Sequence, residues 1–311
     1  MEDLSRRGML TGMPMMSAGL MGAGLLGAEM LSAAPAMAAT PVTGNLADPT
    51  TRARVRARIL GSVGTETTYM FYRLHIYGYN GAGNLVPFFT MNHLNISEWR
   101  PTGAATFQSK TYECGAYCRF NSDDPLEEWV NPITGEKRKV WQFYGGPFVV
   151  NVGADGISTA GADLKPDLMP IENMGGMVIV PTASGVSYPN VATPDKYPHL
   201  SSGPTTFWDS HACYFAKAED AFNESLTSAP AFCQFQNFAS WHPWLGMGGR
   251  ADSGSGRTWG RAYGAKLKSL DDIPAPARRS LDKLTPEIFD YKNWTAPRRD
   301  AAEYLKSPLA R

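Results

Sequence analysis

The sequence predicts a mainly β protein: an antiparallel β-barrel of the lipocalin or calycin kind, with a short N-terminal helix and C-terminal helices. Three observations predict it. Runs such as "TTYMFYRLHIYGYN" are crowded with aromatic and β-branched residues, the side chains that fit a pleated surface. Short polar turns join the runs, "GAGN" and Asn131-Pro132-Ile133-Thr134-Gly135 among them. Helix signals stand only before the first run and after the last. Many strands linked this way make a barrel or a sandwich. The barrel is preferred because closure removes edges and leaves an interior for a small ligand.

Taken in order, "LADPTTRARVRARILGS" starts a helix at Asp48-Pro49, with proline in the first turn. Arg52, Arg54, Arg56 and Arg58 recur every second residue, which on a helix scatters them around a solvated face. "TTYMFYRLHIYGYN" and "LVPFFTMNHLNISEW" read as a hairpin about "GAGN". "TFQSKTYECGAYCRF" is a third strand, and "EEWVNPITGEKRKVWQFYGG" is two strands about the Asn131–Gly135 turn. "GGMVIVPTA", "TTFWDSHACYFAKA", "AFCQFQNFASW" and "TWGRAYGAKLKSL" bring the total to about nine. Residues 153–175 and 184–204 are loops rich in Gly, Pro and Asp. The tail from about residue 271 holds two short helices separated by prolines.

Residues 1–38 are set apart as a leader. Arg6-Arg7 precede an uncharged run from Gly8 to Ala28, and Ala36-Met37-Ala38 offers a small-residue cleavage site. That order is the mark of a twin-arginine signal peptide. The expected partner is the twin-arginine translocase, and the expected location periplasmic or secreted. An uncleaved anchor is the other reading of the run, though it is glycine-rich and weakly apolar for a span. The remainder, residues 39–311, is read as a single β-barrel domain, long enough for a real core.

Lys and Arg balance Asp and Glu at 29 each. No field of one sign is present to attract nucleic acid, and no later apolar run suits stable membrane insertion. Four cysteines, Cys114, Cys118, Cys213 and Cys233, occur without a Cys-x-x-Cys spacing, which argues against a four-thiolate zinc site. On one strand Cys114 and Cys118 stand too far apart to bond. A Cys213–Cys233 bridge, or none, is expected.

No nucleophile elbow, dinucleotide fingerprint, phosphate loop or His-Glu-x-x-His is present. No cofactor and no metal are expected; His75, His93, His211 and Glu98 would hold a metal only if the fold gathered them. Chemistry therefore falls to histidine. Asp209 and His211 are two apart, so on a strand they share a face, and the carboxylate would orient the imidazole as a general base. His75 belongs to the set Tyr69, Phe71, Arg73, Tyr77, Tyr79. His93 belongs to Leu85, Pro87, Phe89, Met91, Asn95, Trp99. Such faces turned inward would hold an aromatic or apolar small molecule.

Tyr77 and Trp99, from those faces, and Trp208 are candidate binding residues, and Trp241, His242 and Trp244 suit a strand corner or the cavity rim, beside glycines that permit sharp bends or close approach. Arg73 and Arg250 are candidate clamps for an anion or phenolate. His199 is read as exposed.

"SWHPWLGMGG" followed by "YGAKLKSLDDIPAP" resembles the C-terminal signature of a bacterial and fungal family known as domain of unknown function eighteen-thirty-eight. Glu113 and the Asn131-Pro132-Ile133-Thr134-Gly135-Glu136 turn resemble two further landmarks of that family. The likeness covers most of residues 45–297; between Cys118 and Trp129 the chain departs from it, since the family places an acidic turn sooner. Members are often twin-arginine exported. The resemblance implies a domain and brings no catalytic residues.

The functional expectation is a periplasmic, cofactor-independent lyase, isomerase or hydrolase with a histidine base in a barrel cavity. The alternatives are a non-catalytic carrier of an apolar ligand and a structural envelope protein.

Overall fold

The computed structural model describes residues 44–79, 84–159, 169–248 and 256–310. Helix α1 (Pro49–Leu60) comes first. The strands are β1 (Glu66–Tyr79), β2 (Leu85–Gly103), β3 (Thr106–Cys118), β4 (Glu128–Val130), β5 (Lys137–Lys139), β6 (Phe143–Val152), β7 (Ile157–Thr159), β8 (Glu172–Met174), β9 (Met177–Pro189), β10 (Thr205–Lys217), β11 (Phe232–Ser240) and β12 (Arg257–Leu267). Helix α2 (Ala218–Ala221) follows β10, and α3 (Ala275–Leu284) and α4 (Ala301–Lys306) lie in the tail.

Ten strands form one sheet in the order β7-β6-β3-β2-β1-β12-β11-β10-β9-β8, while β4 and β5 pair as a separate hairpin. Every pairing is antiparallel. The sheet curls into a half-barrel, and its two end strands, β7 and β8, are three residues long, which limits exposed edge. The architecture is the mainly β one that aromatic runs and turns predict, with helices at both ends.

One helix reveals the curvature. Ala53 and Ala57 of α1 pack with Trp99, Phe107 and Val152 on β2, β3 and β6. Val55 and Ile59 pack with Val178, Val180 and Ala216 on β9 and β10. In a flat sheet β6 and β9 would stand about 34 Å apart, at about 4.8 Å per strand. A helix is only about 10–12 Å wide, so the face holding α1 is concave.

The arginines of α1 depart from the expected solvated face. Residues two apart lie on opposite flanks of a helix, and residues four apart on the same flank. Arg52 and Arg56 thus reach one way: Arg52 Nε donates to Ala154 O (2.9 Å) and Arg56 Nη1 to Gly153 O (2.6 Å). Arg54 and Arg58 reach the other way. Arg54 Nη2 donates to Glu224 Oε2 (2.7 Å), and Arg58 donates to Ala221 O (2.6 Å) and Leu226 O (2.7 Å). The alternate-residue spacing ties α1 to loops from both wings of the sheet, and Arg56 and Arg58 are buried.

The opposite end of the concavity is filled by Phe88, Phe89, Trp129, Trp241, Trp244, Leu245 and Met247. The Asn131 turn docks there. Asn131 Oδ1 accepts from Ile133 N (2.8 Å), which shapes the turn, and Nδ2 donates to Leu245 O (2.9 Å). On the outer face, Phe71, Leu94, Ile96 and Tyr112 are covered by Ile273, Ala277, Leu281 and Ile288 of the tail.

All four cysteines are free. Cys213 opposes Gln234 and Cys233 opposes Tyr214, so the two sulfurs project from opposite faces of the sheet and cannot bridge. Among the described residues no helix is long and apolar enough to cross a membrane.

Candidate functional site

Between the two plugs the concave wall is built on a repeated device, a large polar or aromatic side chain opposite a glycine. Glu113 faces Gly145, Tyr72 faces Gly264 and Asn237 faces Gly260, while the glycine opposite His93, Gly115, is overlain by Met91. A Cβ on Gly264 would stand 2.8 Å from Tyr72 Cδ1, and one on Gly145 would stand 2.5 Å from Glu113 Oε1. The bare backbone lets these side chains lie flat along the sheet.

His93 and Glu113 are diagonal neighbours on β2 and β3. Nε2 lies 3.3 Å from Glu113 Oε2, and both side chains keep some exposure (15% and 20%). The contact is electrostatic; its angle does not make a hydrogen bond, and Nε2 has no other partner. A carboxylate beside Nε2 favours the tautomer protonated there, leaving Nδ1 the basic atom. Tyr72 and Phe143 flank the imidazole, with ring centroids 5.5 and 5.7 Å away.

Tyr72 and Tyr214 arch toward each other. Their strands, β1 and β10, are separated by β12 and β11, about 14 Å along the sheet. Their hydroxyls nevertheless meet at 3.3 Å, over Gly264 and Cys233. Burial pushes both phenols well up, and the Cys233 thiol, with Glu113 beyond, adds to that; Tyr214 also raises Tyr72, while the hydrogen bond from Tyr72 pulls Tyr214 partly back. Burial pushes the Cys233 thiol up to about 12. All three groups therefore stay protonated at neutral pH. Met70, Ala212 and Phe235 supply apolar surface around them. Toward α1 the wall continues as a hydroxyl chain: Ser97 Oγ donates to Asn95 Oδ1 (2.9 Å) and lies 2.9 Å from Thr111 Oγ1.

The histidine candidates are divided between the faces. Tyr72, not His75, is the β1 residue opposite His93. A bulge at Phe88 also breaks the parity of β2, so Leu85 and Pro87 lie on the outer side while Phe89, Met91, His93 and Asn95 line the inner one. His75 is on the outer face, stacked with Tyr263 (6.1 Å) and edge-on to Phe120 (5.8 Å); burial lowers its pKa, with Arg73 adding to that. Asp209 and His211 do share a face, but it is the outer one. Both are exposed, and the imidazole's neighbour is Cys213 Sγ at 3.5 Å.

Of the candidate binding residues, Arg73 is ion-paired with Asp123, which Asn92 Nδ2 also reaches at 2.8 Å. Tyr77 lies outside under Arg261 (5.9 Å). Trp99 seals α1 against the wall, its Nε1 donating to Thr68 Oγ1 (3.0 Å). Trp241 and Trp244 are core: Trp244 stacks on Phe89 (5.5 Å) and tilts against Tyr117 (5.5 Å). His242 and His199 are exposed. Trp208 faces the concavity beside Val186. Arg250 lies outside the described residues, as do Arg6 and Arg7.

A cleft of about 700 Å³ on the outer face is lined by Phe71, Phe215, Phe232 and Tyr263, with the Arg73–Asp123 pair inside it. Those two charges face each other; on the concave wall the close titratable groups are His93 with Glu113 and Tyr72 with Tyr214. Among the described residues no group of three His, Cys, Asp or Glu is placed to hold a metal ion.

The fold and site define a curled antiparallel half-barrel with imidazole, carboxylate and phenol groups along its concave side. The chain belongs to the family described as "Protein of unknown function (DUF1838)", whose model matches residues 65–303. That span includes every strand and each residue of the wall. No curated protein matches the chain.

Proposed function

We propose that the protein is a cofactor-independent enzyme that moves a proton on an apolar or aromatic small molecule seated against the concave wall. It would be exported in folded form to the periplasm through the twin-arginine route. His93 is the general base and Glu113 stabilises the imidazolium that forms. The observation that carries the reading is the 3.3 Å approach of Glu113 Oε2 to His93 Nε2 beside two protonated tyrosines. A carboxylate beside an imidazole stabilises the cation that proton abstraction creates. The Asp209–His211 pair, exposed on the outer face, receives no role.

The test is Kemp elimination of 5-nitrobenzisoxazole, which needs only a positioned base in an apolar site. Wild-type protein should exceed free imidazole at equal concentration, and His93→Gln should lose about 100-fold or more while its melting curve is unchanged. A folded His93→Gln variant of undiminished rate would exclude the base. A carrier would show no rate above imidazole while native mass spectrometry of protein from its own host retains one unaltered apolar ligand.

A further inference from the structure

We infer that the ligand class of this wall is an uncharged carbonyl compound with an acidic α-C–H, held by Tyr72 and Tyr214 through its oxygen. The inference rests on the proton-transfer reading above and adds the chemistry of the group recognised. Two phenol hydroxyls meet at 3.3 Å. One O–H suffices to link them, which leaves the second proton to the Cys233 thiol beneath, within reach of both hydroxyls. A thiol is a weak acceptor, and a carbonyl oxygen is the better partner for that proton. Tyrosine oxygens that already feel the carboxylate of Glu113 are poor hosts for a second anion, yet good donors to a neutral oxygen that gains charge only during reaction.

The remaining charges support a neutral ligand. Lys266 is the cation of β12 on this face, opposite Met70. Its Nζ is committed to Arg58 O (2.8 Å), Gly61 O (2.9 Å) and Ser228 Oγ (3.1 Å). Arg58 is likewise spent on Ala221 O and Leu226 O. Neither is positioned to meet a carboxylate or phosphate. Met70, Phe143 and Phe235 offer apolar surface for the body of a ketone.

The step balances without a co-reactant. His93 Nδ1 takes the α-proton. The C–H pair becomes a C=C bond, and the C=O π pair moves to oxygen, where the tyrosine hydroxyls stabilise the enolate. The imidazolium then returns a proton to the same carbon, giving exchange, or to a conjugated carbon, giving an isomer.

The probe is 2-tetralone, its α-proton exchange in D₂O followed by NMR, with 2-naphthol binding, followed by fluorescence, as a readout that needs no base. Tyr72→Phe and Tyr214→Phe should each lower exchange about 100-fold and weaken naphthol binding about tenfold. His93→Gln should abolish exchange and leave naphthol binding within about twofold. Exchange lost in His93→Gln but unchanged in both Phe variants would overturn the carbonyl assignment and leave the base standing. Wild-type protein that neither exchanges 2-tetralone nor binds 2-naphthol would overturn it too, and Kemp elimination would then judge the base separately. Urea melts of the Phe variants separate lost donation from lost folding.

Discussion

The carboxylate of Glu113 lies across the bare backbone of Gly145, where a Cβ would stand 2.5 Å from Oε1 and 2.7 Å from Cγ. Gly145 does not have a positive φ, so alanine is tolerated by the backbone and the side chain must move. Gly145→Ala therefore tests the placement of Glu113 without removing a charge. Stability should change by about 1 kcal/mol or less, while Kemp elimination falls about tenfold because the carboxylate no longer sits beside His93. A melting curve and a rate measured on one sample decide it; an unchanged rate would mean that Glu113 does not orient the base.

This relationship also shows where sequence reading stops. Most strand positions, the N-cap at Asp48, the Asn131 turn and the tail helices were legible because each depends on neighbours in the chain; β7, β8 and β9 beyond residue 183 fall in the Gly-, Pro- and Asp-rich stretches read as loops. Asp48 Oδ2 indeed accepts from Thr51 N at 2.7 Å, as an N-cap should. The concave wall was not legible. Which parity faces inward depends on how β1 pairs with β2, and the Phe88 bulge reverses it partway. Tyr72 and Tyr214 sat on the parity opposite to the sets that drew attention by their histidines. Glu113 had a signal in the family likeness, but none marked its contact with His93. The tryptophans of residues 241–244 were conspicuous because they are large, and they fill the core.

Arg58 is the anchor of α1 on one wing. Its side chain is fully buried, and two carbonyl oxygens depend on it. Arg58→Met keeps the volume and leaves Ala221 O and Leu226 O without their donor. The expected loss is about 2–4 kcal/mol, read as a lower urea midpoint at unchanged slope. Arg54→Met, at a half-exposed site, should cost less than about 1 kcal/mol. Equal losses would mean that burial of the guanidinium adds nothing.

Export is tested by charge-conserving substitution. Arg6→Lys with Arg7→Lys keeps the positive n-region, so a general secretion signal would still work, whereas twin-arginine recognition would not. Fractionation of cells expressing a C-terminally tagged chain should find wild-type protein in the periplasm and the double variant inside. Periplasmic double variant would remove the twin-arginine assignment, and cytosolic wild-type protein would remove export altogether.

Lys266 gives the protein a pH dependence of definite sign. Burial pulls its ammonium from 10.5 down to about 7, with Glu66 opposing the shift. Between those values the unfolded chain holds a proton that the folded one has released, so stability rises with pH. Charge on Lys266 opposes folding fully below about 7, and the penalty fades as pH climbs toward 10.5. Cys114 and Cys233 act the other way: burial raises each thiol to about 12 from 9.0, so their contribution is complete below 9 and is lost above it. The clean window is therefore pH 7 to about 8.5. There the unfolding free energy should climb by up to about 1.4 kcal/mol per pH unit. Lys266→Met should flatten that slope, although it removes one donor from Arg58 O and Gly61 O, which keep Ala229 N (3.0 Å) and Ser228 Oγ (2.7 Å). Urea unfolding of both proteins at three pH values in the window is the measurement. Equal slopes would mean that the three oxygen acceptors hold Lys266 charged and that burial does not govern its titration.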